Sequence, residues 1–239
     1  MKLSLEVCAF NIQSCLIAEK AGAIRVELCD NPLEGGTTPS YGTIKYVREK
    51  IGIQLYPIIR PRSMNYLYTT DEWQIIKTDI ELCKHLGCDG ISIGIQKQDG
   101  TIDADLMQRV NDLAYPMGVT CNRVFDAVPD PFEALETLIN CGCERILTSG
   151  LASTAPEGAA VLKELLKKAE DRIIIMPGAG VRAQNLYQLI QDTGATEYHS
   201  SARISVANTL LYENKAITDM GNLYLADELE LKKMLNILK

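Results

Sequence analysis

A short apolar run followed by a helical pattern recurs eight times along this chain, and few folds accept such a repeat. Runs mostly rich in Ile, Val or Leu begin near residues 3, 24, 53, 89, 118, 143, 172 and 195. Helical patterns follow at roughly 11–21, 40–50, 71–86, 103–115, 131–141, 156–169 and 182–192, with a last one near 227–238. Local chemistry marks the boundaries. Ser40 and Thr70 read as N-caps, Asp130 caps a helix with Pro131 at its first position, and Pro156-Glu157 opens the next. Gly22, Gly52, Gly87, Gly142 and Gly194 fall just after helices, where a left-handed residue ends the last turn. Eight β/α units in 239 residues predict a closed (β/α)8 TIM barrel, read as a single domain over 1–239. A doubly wound sheet would need a reversal of strand order, and eight regular units without a composition break favour the barrel.

Composition narrows the function classes. A hydrophobic fraction of 46% supplies a sizeable core, and no run approaches the roughly 18 apolar residues of a membrane span. A net charge of −7 and a pI near 5.0 argue against a nucleic-acid surface. Met1-Lys2-Leu3-Ser4 leads straight into a strand without a signal-peptide pattern, so the expectation is a cytoplasmic protein. Of the eight cysteines, Cys15, Cys83, Cys88, Cys141 and Cys143 sit beside apolar neighbours on helix faces or at helix–strand junctions. They read as buried free thiols; Cys141-Gly142-Cys143 is too tight for a usual zinc pair.

In a barrel of this kind chemistry gathers at the carboxyl ends of the strands. Those ends carry Glu6 and Cys8; Glu27 and Cys29; Arg60 and Arg62; Asn122, Arg123 and Asp126; Thr148 and Ser149; Pro177 to Gly180; and His199 to Arg203. The opposite ends read as ordinary helix-to-strand turns. Alternation along a strand places Glu6 with Cys8, and Glu27 with Cys29, on one face each, the carboxylates one layer deeper than the thiols. Three connections, 30–40, 61–70 and 204–222, exceed the usual length, and the last reads as a long loop able to fold over the barrel mouth.

Several of these segments resemble the CutC family. They are Leu5-Glu6-Val7-Cys8, Val26-Glu27-Leu28-Cys29 with the loop Glu34 to Gly42, Ile59-Arg60-Pro61-Arg62, Leu147 to Gly150, Ile175 to Gly180, and His199-Ser200-Ser201-Ala202-Arg203. The resemblance runs from about residue 3 to 203, leaving a loosely similar loop and C-terminal helix over 204–239. It implies a TIM barrel, a cytoplasmic protein and a role in copper homeostasis, with no settled reaction. One departure stands out: the chain has Cys121-Asn122 where the family usually has Phe-His, which removes a two-His metal site.

Each constellation has two readings. Cys8 and Cys29 end sequence-adjacent strands about 4.8 Å apart, and two thiolates suit a soft ion such as Cu(I); otherwise they are small barrel-top hydrophobes. Glu6 and Glu27 need partners if buried, with Arg60 and Arg123 the expected ones, as an acid/base pair or as a structural ion network. His199 points inward as an acid/base group or ligand, and Asp126 joins it as a catalytic candidate, whereas His85 reads as helix surface. Arg60, Arg62, Arg123, Gly178, Gly180, Ser201 and Arg203 form the candidate anion-binding set, the glycines after strand seven serving as a phosphate cradle at a helix N-terminus. The alternative for that turn is a tight bend that needs glycine. Two functions follow: a binder of copper(I) at Cys8 and Cys29, or an enzyme acting on a small anionic metabolite, phosphorylated or not. No nucleotide cofactor is indicated. The expected partners are a copper ion or a small anion, without nucleic acid or membrane, and a homodimer is admitted.

Overall fold

The structure is a computed structural model that describes residues 3–212, 214, 216 and 221–239. Eight strands alternate with helices: β1 (Ser4–Ala9), β2 (Arg25–Leu28), β3 (Gln54–Pro57), β4 (Gly90–Ile93), β5 (Gly118–Cys121), β6 (Arg145–Thr148), β7 (Ile174–Pro177) and β8 (Glu197–Ser200). The intervening helices are α1 (Ile12–Ala21), α2 (Tyr41–Lys50), α3 (Thr70–His85), α4 (Ala104–Ala114), α5 (Pro131–Asn140), α6 (Ala159–Ala169) and α7 (Ala183–Thr193). All strands are parallel within two arcs, β3-β2-β1-β8 and β4-β5-β6-β7. The arcs meet through the Ile58–Ser92 bridge on one side, and on the other Gly178 after β7 lies against His199 on β8. The result is the (β/α)8 barrel expected from the repeat.

Boundary chemistry departs from expectation at a few points. Thr69, not Thr70, caps α3, because its hydroxyl accepts from Glu72 N–H while the Glu72 carboxylate accepts from Thr69 N–H. α6 starts at Ala159 behind Gly158, later than Pro156, and α2 ends on extended Ile51 rather than on a left-handed Gly52. The segment after β8 is not one long loop. Residues Arg203–Val206 (β9) pair antiparallel with Leu223–Ala226 (β10), which leads into α8 (Glu228–Ile237). Residues 213, 215 and 217–220 of the predicted loop lie outside the described residues, and the paired strands β9 and β10 flank them in sequence.

Strand alternation divides the buried residues by chemistry. One set of strand side chains (Leu5, Val7, Val26, Leu28, Leu55, Ile91, Val119, Ile146 and Ile175) faces the helices and forms the apolar core with them. The inward set is polar. Parallel register places Glu6 of β1 opposite Arg25 of β2 on one side and His199 of β8 on the other. Arg25 is 1% exposed and donates to the carboxylates of Glu6 and Glu197; Arg145, 2% exposed, donates to Glu197 at 2.7 Å. The Tyr56 ring lies beside both guanidiniums, 5.2 Å from Arg25 and 5.7 Å from Arg145, and its hydroxyl donates to Glu144 at 2.8 Å. Gly90 and Gly118 leave the space for that ring: a Cβ at either would sit 2.1 or 2.4 Å from Tyr56 atoms. The strand starts therefore hold an ion network and are not the plain turns expected of them.

Removing one member of a buried pair leaves its partner charged and unsolvated. Arg25→Met leaves Glu6 with His199 alone and Glu197 with Arg145 alone, and is expected to cost about 3–5 kcal/mol in urea unfolding. A surface control, Arg172→Met, whose ion pair with Glu136 is exposed, is expected to cost under ~1 kcal/mol.

Candidate metal and anion site at the barrel mouth

Above the ion network the strands open into a cavity of about 530 Å³, within the roughly 300–1,000 Å³ of small-molecule sites. Cys8, Glu27, Asn122, Arg123, Gly180, His199, Ser201 and Arg203 line it, so most of the sequence candidates converge there. Tyr66 and Arg182, which sequence reasoning did not single out, line it too.

The barrel shear sets the height of each group. Glu27 is level with Cys8, not with Glu6, and Cys29 stands one step above, its N–H donating to Ala9. Even so, the Cys8 and Cys29 sulfurs lie 3.7 Å apart, and a Glu27 oxygen joins them so that all three ligand atoms fall within 4.8 Å. Cys29 is 3% exposed, whereas Cys8 is only half-buried. Burial, the neighbouring Cys8 and the Glu27 charge push the Cys29 thiol well above its ordinary pKa. Gly36 closes over Cys29 with φ +89°, and a Cβ there would come within 3.3 Å of the sulfur. That loop is fastened by Arg60, whose Nη1 donates to the carbonyls of Glu34 and Gly36 while its guanidinium stacks on Tyr66 at 4.8 Å.

Arg60 therefore binds backbone and does not pair with Glu6 or Glu27, contrary to expectation. Glu6 instead sits between Arg25 and His199. Burial alone would raise its pKa, but those two cations and Arg145 hold it far below the usual 4.5. His199 Nδ1 lies 2.7 Å from Glu6 Oε1 and Nε2 lies 3.7 Å from Glu27 Oε2. Burial alone would lower the His199 pKa, yet interaction with Cys8, Glu6 and Glu27 raises it well above 6.5. His199 thus stands between the Glu6 and Glu27 carboxylates beside the thiols.

The remaining candidates divide. Arg62 pairs with Glu72 at 2.5 Å and donates to Ser63, Asn65 and Leu67 carbonyls, which pins the 61–70 loop and leaves it outside the cavity lining. Asp126 accepts from Thr148 Oγ1, Ser149 N and Arg123 Nε, anchoring the loop after β6, and is likewise outside the lining. Gly178 stands behind His199, and Ala179 and Gly180 turn at φ +76° and +70° into the cavity wall. The helix N-terminus beyond them is already occupied: Ala183 N–H donates to Glu230 of α8 and Arg182 N–H to Asn185. The phosphate-at-helix expectation is corrected accordingly. No signal in the chain marks Arg182 as inward or Glu230 as a cap, since the first contact is made with β9 and the second from α8, both distant in the chain.

Glu6 and Glu197 both have pKa values below 4.5 when folded, with burial opposed by Arg25 and Arg145. Their stabilisation is present above pH 4.5 and is lost as the pH falls through the folded values. His199 contributes with the opposite sign, fully below pH 6.5 and less as pH rises through its elevated value. Thermal unfolding below pH 4.5 is therefore expected to show a steep loss of stability that Glu197→Gln makes shallower.

The model of the CutC family matches residues 3–204 of the chain. A family protein CutC of Parabacteroides distasonis is 49% identical over 233 residues, spanning 96% of this chain and 95% of that protein. The copper homeostasis protein cutC homolog of Homo sapiens is 41% identical over 228 residues, 95% of this chain and 83% of its own. A solved CutC from Streptococcus agalactiae superposes with a TM-score of 0.80 at 33% identity, covering 83% of this chain and 98% of that one. With its barrel, its repeated Glu-x-Cys strand ends and relatives this similar over nearly its whole length, the chain belongs to the CutC family.

Proposed function

We propose that the chain takes part in copper homeostasis by holding Cu(I) between Cys8 and Cys29. The carrying observation is the 3.7 Å separation of two sulfurs at the ends of adjacent strands. With metal–sulfur bonds of ~2.3 Å, sulfurs so spaced subtend an angle of about 107° at an ion, which leaves a third position free. A Glu27 oxygen lies within 4.8 Å of both sulfurs, and soft thiolates select Cu(I) over hard cations. The names of the human and mouse relatives point the same way. No helix among the described residues is long and apolar enough to cross a membrane.

Loading replaces the Cys29 proton, so binding releases protons and strengthens as pH rises toward the elevated thiol pKa. Anaerobic titration against a Cu(I) chelator is expected to give one ion per chain. Cys8→Ser with Cys29→Ser is expected to lose it without a change in far-UV circular dichroism; unchanged stoichiometry in that variant sinks the proposal.

A second reading rests on His199. An imidazolium held on Glu6 and facing Glu27 in a small-molecule cavity is a proton-transfer pair. In heavy water, a proton-transfer catalyst is expected to wash deuterium into an activated C–H of its substrate, and His199→Gln to stop it. A broad panel of sugar phosphates and hydroxy acids with no exchange would remove this reading.

A further inference from the structure

Of the proposed copper ligands only Cys8 and Glu27 line this cavity, and its walls carry, beside apolar groups, cations and hydrogen-bond donors with no use in holding Cu(I). Asn122, 3% exposed, lines the cavity from the end of β5. Its Oδ1 accepts from Val124 N–H at 3.0 Å, which fixes the side chain, while its Nδ2 has no partner among the described residues. A buried amide with both N–H bonds unmade is costly and calls for a ligand or water at that place.

Three guanidiniums share the same cavity: Arg123, Arg182 and Arg203. Arg123 is paired with Asp126 at 2.7 Å. Among the described residues neither Arg182 nor Arg203 pairs with a carboxylate. Arg203 donates Nη1 to the Pro32 carbonyl and lies over the rings of Phe10 and Tyr224, 5.6 and 5.2 Å away. Arg182 donates Nη2 to the Arg203 carbonyl. Both charges are thus held in place by neutral groups and left uncompensated at the cavity wall. Among the described residues, the N–H groups of Ala179 and Gly180 donate to no backbone carbonyl, and both residues are in left-handed conformations at the same wall. Like charges held together in a partly desolvated cleft repel, and an anion between them removes that cost.

We propose that this wall binds a small organic oxyanion, with the Asn122 amide and the Arg182–Arg203 pair as its principal donors and the body of the ligand lying over His199 and Cys8. Phosphate and carboxylate heads share the required chemistry: several acceptor oxygens and a negative charge. The inference rests on the second reading above only for where a substrate would lie. Binding is measured without turnover, so it stands or falls separately from proton transfer.

Isothermal calorimetry with inorganic phosphate and with acetate, each against chloride at matched ionic strength, tests the wall and separates the two head groups. Saturable binding of either is expected, where general salting effects on stability do not saturate. Asn122→Asp keeps the acceptor for Val124 N–H but replaces both donors with a negative charge, and is expected to weaken binding at least tenfold. Arg182→Gln is the second variant, read if Asn122→Asp does not fold, with the same expected loss. Arg172→Gln, whose exposed pair with Glu136 lies outside the cavity lining, is expected to leave anion binding within twofold. No saturable binding of either anion to the wild type, or wild-type affinity in Asn122→Asp and Arg182→Gln, overturns the proposal.

Discussion

Everything in the barrel interior hangs on one guanidinium, that of Arg25, shared between Glu6 and Glu197. TIM-barrel interiors are usually filled by branched apolar side chains. This one carries two buried arginines, their carboxylates and a tyrosine laid beside them, and so must satisfy its charges before it can close. The requirement sets the order of construction. Arg25 fixes the Glu6 carboxylate, Glu6 fixes the imidazole of His199, and His199 then stands next to Glu27 and Cys8. The site at the mouth is thus the top of a column of ion pairs that begins at the opposite ends of the strands.

Loops complete what the column starts. Arg60 is spent on the carbonyls of residues 34 and 36, so the Gly36 turn is pressed onto Cys29 and shields it. Arg62 does the same for the next loop through Glu72 and three carbonyls. A guanidinium with five donors in a rigid fork can gather several carbonyls at once, which a lysine cannot. Two of the arginines that look like ligand-binding groups in the sequence are therefore loop clamps, and the unclamped charges lie elsewhere, on Arg182 and Arg203.

Much of the fold was legible from residue order alone, because the eight apolar runs and helical patterns are local signals and a parallel barrel repeats them. Strand parity also placed Glu6, Cys8, Glu27, Cys29 and His199 on the inner face. What could not be read was height around the barrel. Register puts Cys8 level with Glu27 and Glu6 level with Arg25 and His199, and that shear is a property of the closed sheet. The partners of Glu6 and Glu27 were misassigned for the same reason, since Arg25 looks in sequence like the plain start of a strand. Arg182 is not marked in the sequence because its side chain is held by the Arg203 carbonyl of β9, distant in the chain.

The two thiols are not equivalent toward solvent: Cys8 is reachable from the cavity, while Cys29 lies beneath the Gly36 turn. If the pair holds a soft ion as proposed, an ion arriving through the barrel mouth meets the half-buried Cys8 before Cys29, 3.7 Å further on. On that reading exchange through the mouth would depend mostly on one sulfur and retention on the other. Affinity and exchange speed would then be separately adjustable, one through the turn that covers Cys29 and one through whatever occupies the space above Cys8.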